Sequence, residues 1–233
     1  MKNATKHTGE ANWLKRIDTR AFTLIELLVV ISIMALLAAF IFPVLGAVKK
    51  SQYINVAKAE MEQIEASLDN YKGQYGTYPP ANPQNAQLNP LYYELVGVLL
   101  TNNPSGAGVY EALDYSSSVL TNAYPSTFNV GGVINYTKPG ADTESVKARS
   151  FLSSLKQNRI GTVNGVNVLV TSAAGPDVNY MPLGVQNVNP FRYAYPGTNN
   201  PASYDLWVQL QYKGKTYLIC NWSKQVIVNS PLP

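Results

Sequence analysis

The chain has little of the chemistry that most catalytic and metal sites use. Its 233 residues include one cysteine, Cys220, and one histidine, His7. No intrachain disulfide can form, and no set of histidine and cysteine ligands is available for a zinc site or a catalytic triad. The sequence also has no glycine-rich phosphate loop and no paired carboxylates in a supporting context. We therefore predict that the protein is not an enzyme, has no cofactor, and keeps Cys220 as a buried, inert thiol in an apolar strand.

Positive charge is also scarce once the N-terminal segment is set aside. The whole chain has 18 basic and 14 acidic residues, for a net charge of +4. Residues 1–21 hold five of the basic and two of the acidic residues, so residues 22–233 have thirteen basic and twelve acidic residues. A nearly neutral chain with scattered lysines has no basic face for phosphate groups to bind. Nucleic acid is therefore not an expected partner.

What the chain does have is one long apolar run. Residues 27–48 contain no charged residue, and about 20 apolar residues are enough for a helix to cross a bilayer. Lys15, Arg16 and Arg20 precede the run, which places the N-terminus in the cytoplasm and the rest of the chain outside. Glu26 lies at the start of the run, where a carboxylate is costly to insert into a membrane, so it is a candidate functional residue. A plain signal anchor is the alternative interpretation.

The residues around Glu26 carry a family resemblance. Residues 20–30, with the sequence RAFTLIELLVV, resemble the class III signal of type IV pilins and type II secretion pseudopilins. The resemblance implies that a prepilin peptidase cuts between Ala21 and Phe22 on the cytoplasmic side, and that Phe22 becomes an N-methylated N-terminal residue. The chain departs from the family in having Ala21 where glycine is usual. Its leader, residues 1–21, is also longer than many.

Phe22, Glu26 and Pro43 are predicted to serve assembly. Cleavage exposes an amino group at Phe22 that is cationic near neutrality, and Glu26 lies four residues later on the same helix face. Pairing the two charges offsets their desolvation, and the resemblance implies that Glu26 of one subunit meets Phe22 of its neighbour. The alternative is that Glu26 lies near the membrane surface and reaches water. Pro43 matches the family's helix-loosening proline, because proline lacks an N–H and its ring clashes with the preceding turn; a tolerated membrane-helix proline is the alternative.

Beyond the apolar run, the helix is predicted to continue to about Gly73. Apolar residues recur every three or four positions and form one stripe, which consists of Ile54, Ala57, Met61, Ile64, Leu68, Tyr71 and Tyr75. Polar and charged residues are predicted on the other faces of the helix: Lys58, Glu60, Glu62, Gln63 and Glu65. We expect the stripe to dock the chain's own head domain, with a short coiled coil as the alternative. Gly76 and the pair Pro79-Pro80 follow the predicted end of the helix.

The remaining residues, 74–233, are expected to form one head domain. A short buried helix is predicted at residues 90–100, and residues 116–140 are expected to be irregular with short strands. A second helix is predicted from Asp142 or Thr143 to about Gln157, with inward-facing apolar residues Val146, Phe151, Leu152 and Leu155. Strands are predicted at residues 166–171, 191–195, 204–212 and 216–220. The last two form a hairpin through residues 213–215, and residues 221–223 begin the tail.

The predicted fold class is therefore α+β. A long N-terminal helix, with a membrane-spanning half and an amphipathic half, packs on a small antiparallel β-sheet head with extra short helices. The predicted divisions are a cleaved leader at residues 1–21, the long helix at residues 22–73 and the periplasmic head at residues 74–233. Within the helix, residues 22–48 are the transmembrane part and the core of a filament.

The C-terminal part of the chain narrows the resemblance. Residues 189–193 (NPFRY), 204–207 (YDLW) and 221–222 (NW) resemble the C-terminal pattern of the G-type major pseudopilin of type II secretion. Members of that family usually bind calcium in an acidic loop between the last strands. Residues 209–217 contain no Asp or Glu, and calcium prefers six to eight oxygen ligands. Asp205 is thus the one nearby candidate calcium ligand, and we predict no metal site.

The resemblance also implies a function. It predicts a pseudopilin in the bacterial inner membrane, single-pass, with a cytoplasmic N-terminus and a periplasmic head, that polymerises into a periplasmic filament driving type II secretion. The expected partners are copies of itself, the prepilin peptidase, the inner-membrane assembly platform with its ATPase, and minor pseudopilins. Two alternatives are a surface type IV pilin for adhesion, motility or DNA uptake, and a simple membrane-anchored binding module.

Overall fold

The computed structural model describes residues 22–140, 147–152, 155–173 and 179–229, and for residues 41–47 it describes the backbone alone. The chain divides into two compact units, one ending at Ala47 and the other beginning at Val48. The second unit contains the later part of the long helix together with the head. The leader predicted at residues 1–21 lies outside the described residues.

The long N-terminal helix, α1, spans Leu24–Tyr75. This confirms the predicted helix and extends its end two residues beyond Gly73. The predicted stripe is confirmed, because Ala57, Ile64, Leu68 and Tyr71 are fully buried in the core of the second unit. The prediction that Glu60 lies on an outer face of the helix is wrong, because the residue is only 9% exposed. Its burial is explained by an ion pair described below.

Glycine and proline follow the end of α1, as the sequence predicts. The N–H of Gly76 donates to the carbonyl oxygen of Lys72 at 2.8 Å. Gly76 has a φ of +76°, the left-handed conformation that commonly ends helices and favours glycine. The carbonyl oxygen of Pro79 then accepts a hydrogen bond from the Tyr193 hydroxyl at 2.8 Å. The chain that leaves α1 is thereby joined to the C-terminal part of the head.

A short helix and a four-stranded sheet follow α1. Helix α2 spans Leu91–Val96. The first sheet has the order β3-β2-β1-β4, with the strands β1 (Val98–Asn102), β2 (Gly108–Ala112), β3 (Ser118–Leu120) and β4 (Tyr136–Thr137). Strand β4 pairs parallel with β1, and the other pairs are antiparallel. The prediction that the helix extends to residue 100 is wrong, because Gly97, with a φ of +81°, turns the chain into β1.

The irregular region predicted at residues 116–140 contains the short strands β3 and β4. It also contains α3, Ala123–Phe128, which the sequence did not indicate. Tyr124 and Phe128 of α3 are fully buried. Their aromatic contacts, with ring centroids 4.8 Å apart, hold this short helix in place.

The helix predicted from Asp142 or Thr143 to Gln157 is wrong over its described part. Its start and Val146 lie outside the described residues, and residues 147–152 and 155–156 are not helical. A 3₁₀ turn at Gln157–Arg159 leads instead into a hairpin of β5 (Ile160–Val163) and β6 (Val166–Leu169). The apolar residues of the predicted helix do pack on the core: Leu152 is buried, and Phe151 and Leu155 are partly buried. They reach the core from non-helical backbone, and the N–H of Phe151 donates to the carbonyl oxygen of Leu95 at 2.8 Å.

The C-terminal sheet is antiparallel and has the order β10-β9-β8-β7. Its strands are β7 (Arg192–Ala194), β8 (Asp205–Tyr212), β9 (Lys215–Cys220) and β10 (Ser223–Val228). The β8–β9 hairpin is confirmed, with Tyr212 paired to Lys215 across a two-residue turn. The prediction that residues 221–223 begin the tail is wrong, because the chain turns at Asn221 and Trp222 and returns as β10 beside β9.

The main core of the second unit forms where three apolar surfaces meet. One is the stripe of α1, another is α2, and the third is the face of β8 that carries Leu206, Val208 and Leu210. The predicted alternation along β8 is thus confirmed, and so is the α+β class. The described residues of the head form two four-stranded sheets and one two-stranded hairpin. Cys220 is buried in β9, as predicted, and burial raises the pKa of its thiol.

Candidate assembly site

The segment that contains Glu26 begins α1 with an N-terminal cap. The Glu26 carboxylate accepts hydrogen bonds from the backbone N–H of Thr23 at 2.9 Å and from the Thr23 hydroxyl at 2.8 Å. In return, the Thr23 hydroxyl oxygen accepts the N–H of Glu26 at 3.3 Å. This reciprocal arrangement is a capping box, which satisfies backbone donors that the first helical turn leaves unpaired. The Thr-x-x-Glu spacing marks it in the sequence, although hydropathy and charge alone do not indicate it.

The first part of α1 is exposed on all sides in the single chain. Every residue from 22 to 40 is exposed, including Phe22 at 79% and Phe40 at 66%. A helix that is apolar all round is normally covered by lipid or by other protein segments. Among the described residues, no helix meets the length and apolarity required for a membrane span.

The other predicted processing and assembly residues are only partly described. Ala21 lies outside the described residues. Pro43 lies within the backbone of α1, and its side chain is outside the described set. The processing and assembly roles of these residues and of Glu26 stay predictions.

Asp205, the candidate calcium ligand, already has protein partners on both oxygens. It is 2% exposed at the start of β8. Its Oδ2 accepts the backbone N–H of Asn199 at 2.8 Å, and its Oδ1 accepts the backbone N–H of Asn200 at 3.0 Å. The Asp205 carboxylate can lie this close to the backbone at Gly197 because glycine has no side chain; a Cβ at Gly197 would lie 2.6 Å from Asp205 Oδ1. The carboxylate therefore organises the loop between β7 and β8.

No metal-binding cluster is evident in the part of the chain that the structure describes. There, no group of three or more His, Cys, Asp or Glu residues is arranged to hold an ion. Calcium binding at Asp205 stays untested, and the absence of a cofactor stays a prediction.

A buried ion pair holds the central part of α1 to the head. Arg159 Nε lies 3.7 Å from Glu60 Oε1, with the two side chains 7% and 11% exposed. Glu60 Oε2 also accepts the Thr171 hydroxyl at 2.7 Å and the backbone N–H of Ser172 at 3.1 Å. The Arg159 guanidinium donates to the side chain of Gln63. Helical periodicity missed this pair because Glu60 borders the apolar stripe and its partner is far away in sequence.

The N-terminal segment that contains Glu26 resembles a known sequence family. The family model for the prokaryotic N-terminal methylation motif matches residues 18–42. This N-terminal segment is type IV pilin-like. The match includes the capping box, Phe22 and Glu26, and it confirms the resemblance indicated by residues 20–30.

A curated relative is also similar to part of the chain. Type II secretion system core protein G from Pseudomonas aeruginosa is 36% identical over 66 residues, which cover 28% of this chain and 46% of the relative. The chain therefore matches about half the length of that protein. No solved structure matches the chain. The similarities are to a structural, pilin-like subunit rather than to an enzyme.

Proposed function

We propose that this pilin-like protein is a pseudopilin that polymerises into a periplasmic filament driving protein export by type II secretion. The observation that carries the proposal is the placement of Glu26, a carboxylate in an apolar helix whose described hydrogen-bond donors are both atoms of Thr23. The methylation motif at residues 18–42 and the similarity to core protein G support it. The protein has a mechanical role and no catalytic one.

The first step is processing at the membrane. Residues 22–48 hold the precursor in the inner membrane as a single span, with residues 1–21 in the cytoplasm and the head in the periplasm. A prepilin peptidase removes residues 1–21, and the nitrogen of Phe22 becomes a methylated, cationic amine. This change creates a positive charge four residues from the Glu26 carboxylate.

The second step is a change of partner for Glu26. In the single chain the carboxylate caps its own helix through Thr23, so among the described residues it has hydrogen-bond donors but no cation. In a filament, the amine of Phe22 on a neighbouring subunit supplies that cation. A pair of opposite charges in an apolar medium offsets the desolvation of each partner, whereas a mismatched neighbour leaves a charge unpaired. The pairing therefore sets the register between successive subunits.

The third step is growth of the filament. The assembly platform and its ATPase extract the apolar helix, and copies of residues 24–48 pack against one another in place of lipid. Pro43 loosens the helix so that it packs around its neighbours. The heads form the outer layer, and minor pseudopilins join the same filament.

Substitution of Glu26 tests the assembly step. Glu26→Gln keeps the capping box, because glutamine also serves at that position, but it removes the charge. We expect E26Q and E26A to insert into the membrane normally and to form filaments at least tenfold less abundant than those of the unsubstituted protein. The measurements are membrane fractionation and the amount of sedimentable, crosslinked polymer.

The matched control for this test is Ser32→Ala. Ser32 lies in the same apolar segment, and its hydroxyl bonds within the helix to the carbonyl oxygen of Leu28 at 2.8 Å. S32A changes polarity without changing charge, and we expect it to assemble normally. Normal filaments from E26Q would show that the charge of Glu26 is dispensable and would overturn the proposed pairing.

A gene deletion tests which filament the protein builds. We expect the deletion to abolish release of exported proteins while long surface fibres are unaffected. Loss of surface fibres with normal protein export would assign the subunit to a type IV pilus instead. An uncut leader on the membrane-extracted protein would favour a simple anchored binding module.

A further inference from the structure

Glu94 is a fully buried carboxylate in the head whose partners are neutral. It belongs to α2 and is 0% exposed. Its carboxylate accepts the Tyr71 hydroxyl at 2.8 Å, the backbone N–H of Ile134 at 3.0 Å and the backbone N–H of Asn135 at 3.1 Å. Among the described residues the one ion pair joins Glu60 and Arg159, so no described cation balances a charge on Glu94.

The Asn135 side chain extends these contacts to further segments. Its Nδ2 donates to the backbone oxygen of Glu94 at 2.7 Å and to that of Arg149 at 2.8 Å. Its Oδ1 accepts the Tyr75 hydroxyl at 2.8 Å. The Asn135 side chain packs closely against the backbone of Gly97, where an added Cβ would lie only 3.1 Å from Asn135 Nδ2. The segment just before β4 is thus held to the end of α1 and to α2 through Glu94 and Asn135.

Five tyrosines and one arginine are the other titratable and charged groups around Glu94. They come from α1, β2, α3, β7 and the segment at residue 149, and they are Tyr71, Tyr75, Tyr110, Tyr124, Tyr193 and Arg149. Burial raises the pKa of each of these tyrosines, so all five stay neutral. The Arg149 guanidinium lies over the Phe151 ring, 5.6 Å from its centroid. Glu94 differs from these tyrosines because its raised pKa, about 7, lies near neutrality.

Burial without a cation favours the protonated form of a carboxyl group. Burial raises the pKa of Glu94 to about 7, although hydrogen bonds from Ile134, Tyr71 and Asn135 oppose the rise. An opened, hydrated glutamate has a pKa of about 4.3. The pKa of Glu94 is therefore higher in the closed state, in which residues 133–137 contact it, than in an opened state, in which water reaches it. Protonation of Glu94 thus stabilises the closed state. This stabilisation is complete below about pH 4.3 and is lost as the pH rises to about 7.

We propose that Glu94 is a pH-sensitive latch, which holds residues 133–137 against α1 and α2 when it is protonated and loosens them when it is ionised. The same segment forms one wall of a surface groove of about 530 Å³, which is also lined by Tyr110, Gly132 and Lys138. Protonation in the interior of the head therefore controls the shape of an external surface.

Hydrogen exchange of the full-length protein in detergent micelles tests the latch. The amides of Ile134 and Asn135 donate directly to Glu94, so their protection reports whether the segment is held. After correction for the intrinsic pH dependence of exchange, we expect their protection to fall by about tenfold to a hundredfold between pH 5 and pH 8. Glu94→Gln has no ionised form, and we expect its protection to be independent of pH.

Two further variants separate the latch from a general effect of pH. Glu65→Gln removes a different carboxyl group, on α1, whose pKa is raised by burial and by Glu62 and Asp69. We expect this variant to keep the pH dependence of amide protection at Ile134 and Asn135. Tyr71→Phe removes a hydrogen-bond donor to the Glu94 carboxylate, and we expect it to move the midpoint of the pH-dependent loss of amide protection to higher pH. A merely structural role for Tyr71 would leave that midpoint unchanged.

Two results would overturn the proposal. One is protection of Ile134 and Asn135 that does not vary with pH in the unsubstituted protein. The other is the same pH dependence in E94Q. If E94Q does not fold, the carboxyl ¹³C shift of Glu94 in the unsubstituted protein decides: a midpoint near pH 7 supports the latch, and a midpoint below pH 5 contradicts it.

Discussion

Three buried acidic residues of the second unit illustrate how local partners determine the state of a carboxyl group. Glu60 has a cation, Arg159, 3.7 Å away. Asp205 accepts hydrogen bonds from the backbone and side-chain N–H groups of Asn199 and from the backbone N–H of Asn200. Glu94 has neutral donors and no described cation, and burial raises its pKa to about 7. Buried polar groups are stable when hydrogen-bonded, but a charge also needs a compensating charge or strong dipoles.

Asp205→Asn tests the role of Asp205 in the loop before β8. The substitution replaces one acceptor oxygen with an NH₂ group that faces N–H donors from Asn199 or Asn200. We expect a loss of about 1–3 kcal/mol in the free energy of unfolding, because a buried donor is left unsatisfied. Denaturant unfolding of D205N measures this loss of stability. Glu62→Gln, at an exposed position of α1, is the control, and we expect it to change the free energy of unfolding by less than about 0.5 kcal/mol.

The same variant shows whether Asp205 binds calcium. We expect millimolar calcium or a chelator to leave the melting temperature of the unsubstituted protein unchanged, because both oxygens of Asp205 already accept protein hydrogen bonds. A rise in melting temperature with calcium that D205N abolishes would instead establish a metal site.

At the scale of elements, the part of α1 from Val48 onward is stabilised by burial of its stripe. Ala57, Ile64, Leu68 and Tyr71 are fully buried, and they contact the core that α2 and β8 complete. Isolated helices are marginal in water, and tertiary packing of an apolar face supplies most of their stability. The head and this part of α1 therefore depend on each other for folding.

Leu68→Ala tests that dependence. Truncation of a buried leucine removes its transfer free energy and leaves a cavity, which costs about 2–5 kcal/mol. We expect L68A to lower the free energy of unfolding by that amount and to lower the melting temperature. Asn70→Ala, two positions away on the exposed side of α1, is the control, and we expect it to be close to neutral. Equal stabilities for L68A and N70A would show that the stripe does not dock the head.

At the scale of the whole molecule, processing is expected to change the charge of the protein. Residues 1–21 carry five basic and two acidic side chains, so loss of this segment lowers the isoelectric point. We expect N-terminal sequencing and the mass of the membrane-extracted protein to show an N-methylated Phe22. Ala21→Val, which adds bulk beside the cleaved bond, should leave the leader attached, while Ala21→Gly should be processed. Recovery of an uncut chain from the unsubstituted protein would contradict the assigned cleavage site.

The sequence by itself determined the long helix, its docking stripe and the pilin-like N-terminal segment. These features are local: helical periodicity repeats every three or four residues, and the signal in residues 20–30 depends on fixed spacing. The β8–β9 hairpin is also local, since Tyr212 and Lys215 pair across a two-residue turn.

Only the tertiary structure decided the rest of the head. The first sheet, α3 and β10 are made of short segments whose patterns are weak, and they form because distant partners complete them. The apolar residues Phe151 and Leu152 have a helix-like spacing with their neighbours, yet they reach the core from non-helical backbone. The partners of Glu60 and Glu94 lie far along the chain, at Arg159 and at Ile134 and Asn135. Sequence spacing cannot show such pairs, because burial and electrostatic balance arise only when separate segments are brought into contact.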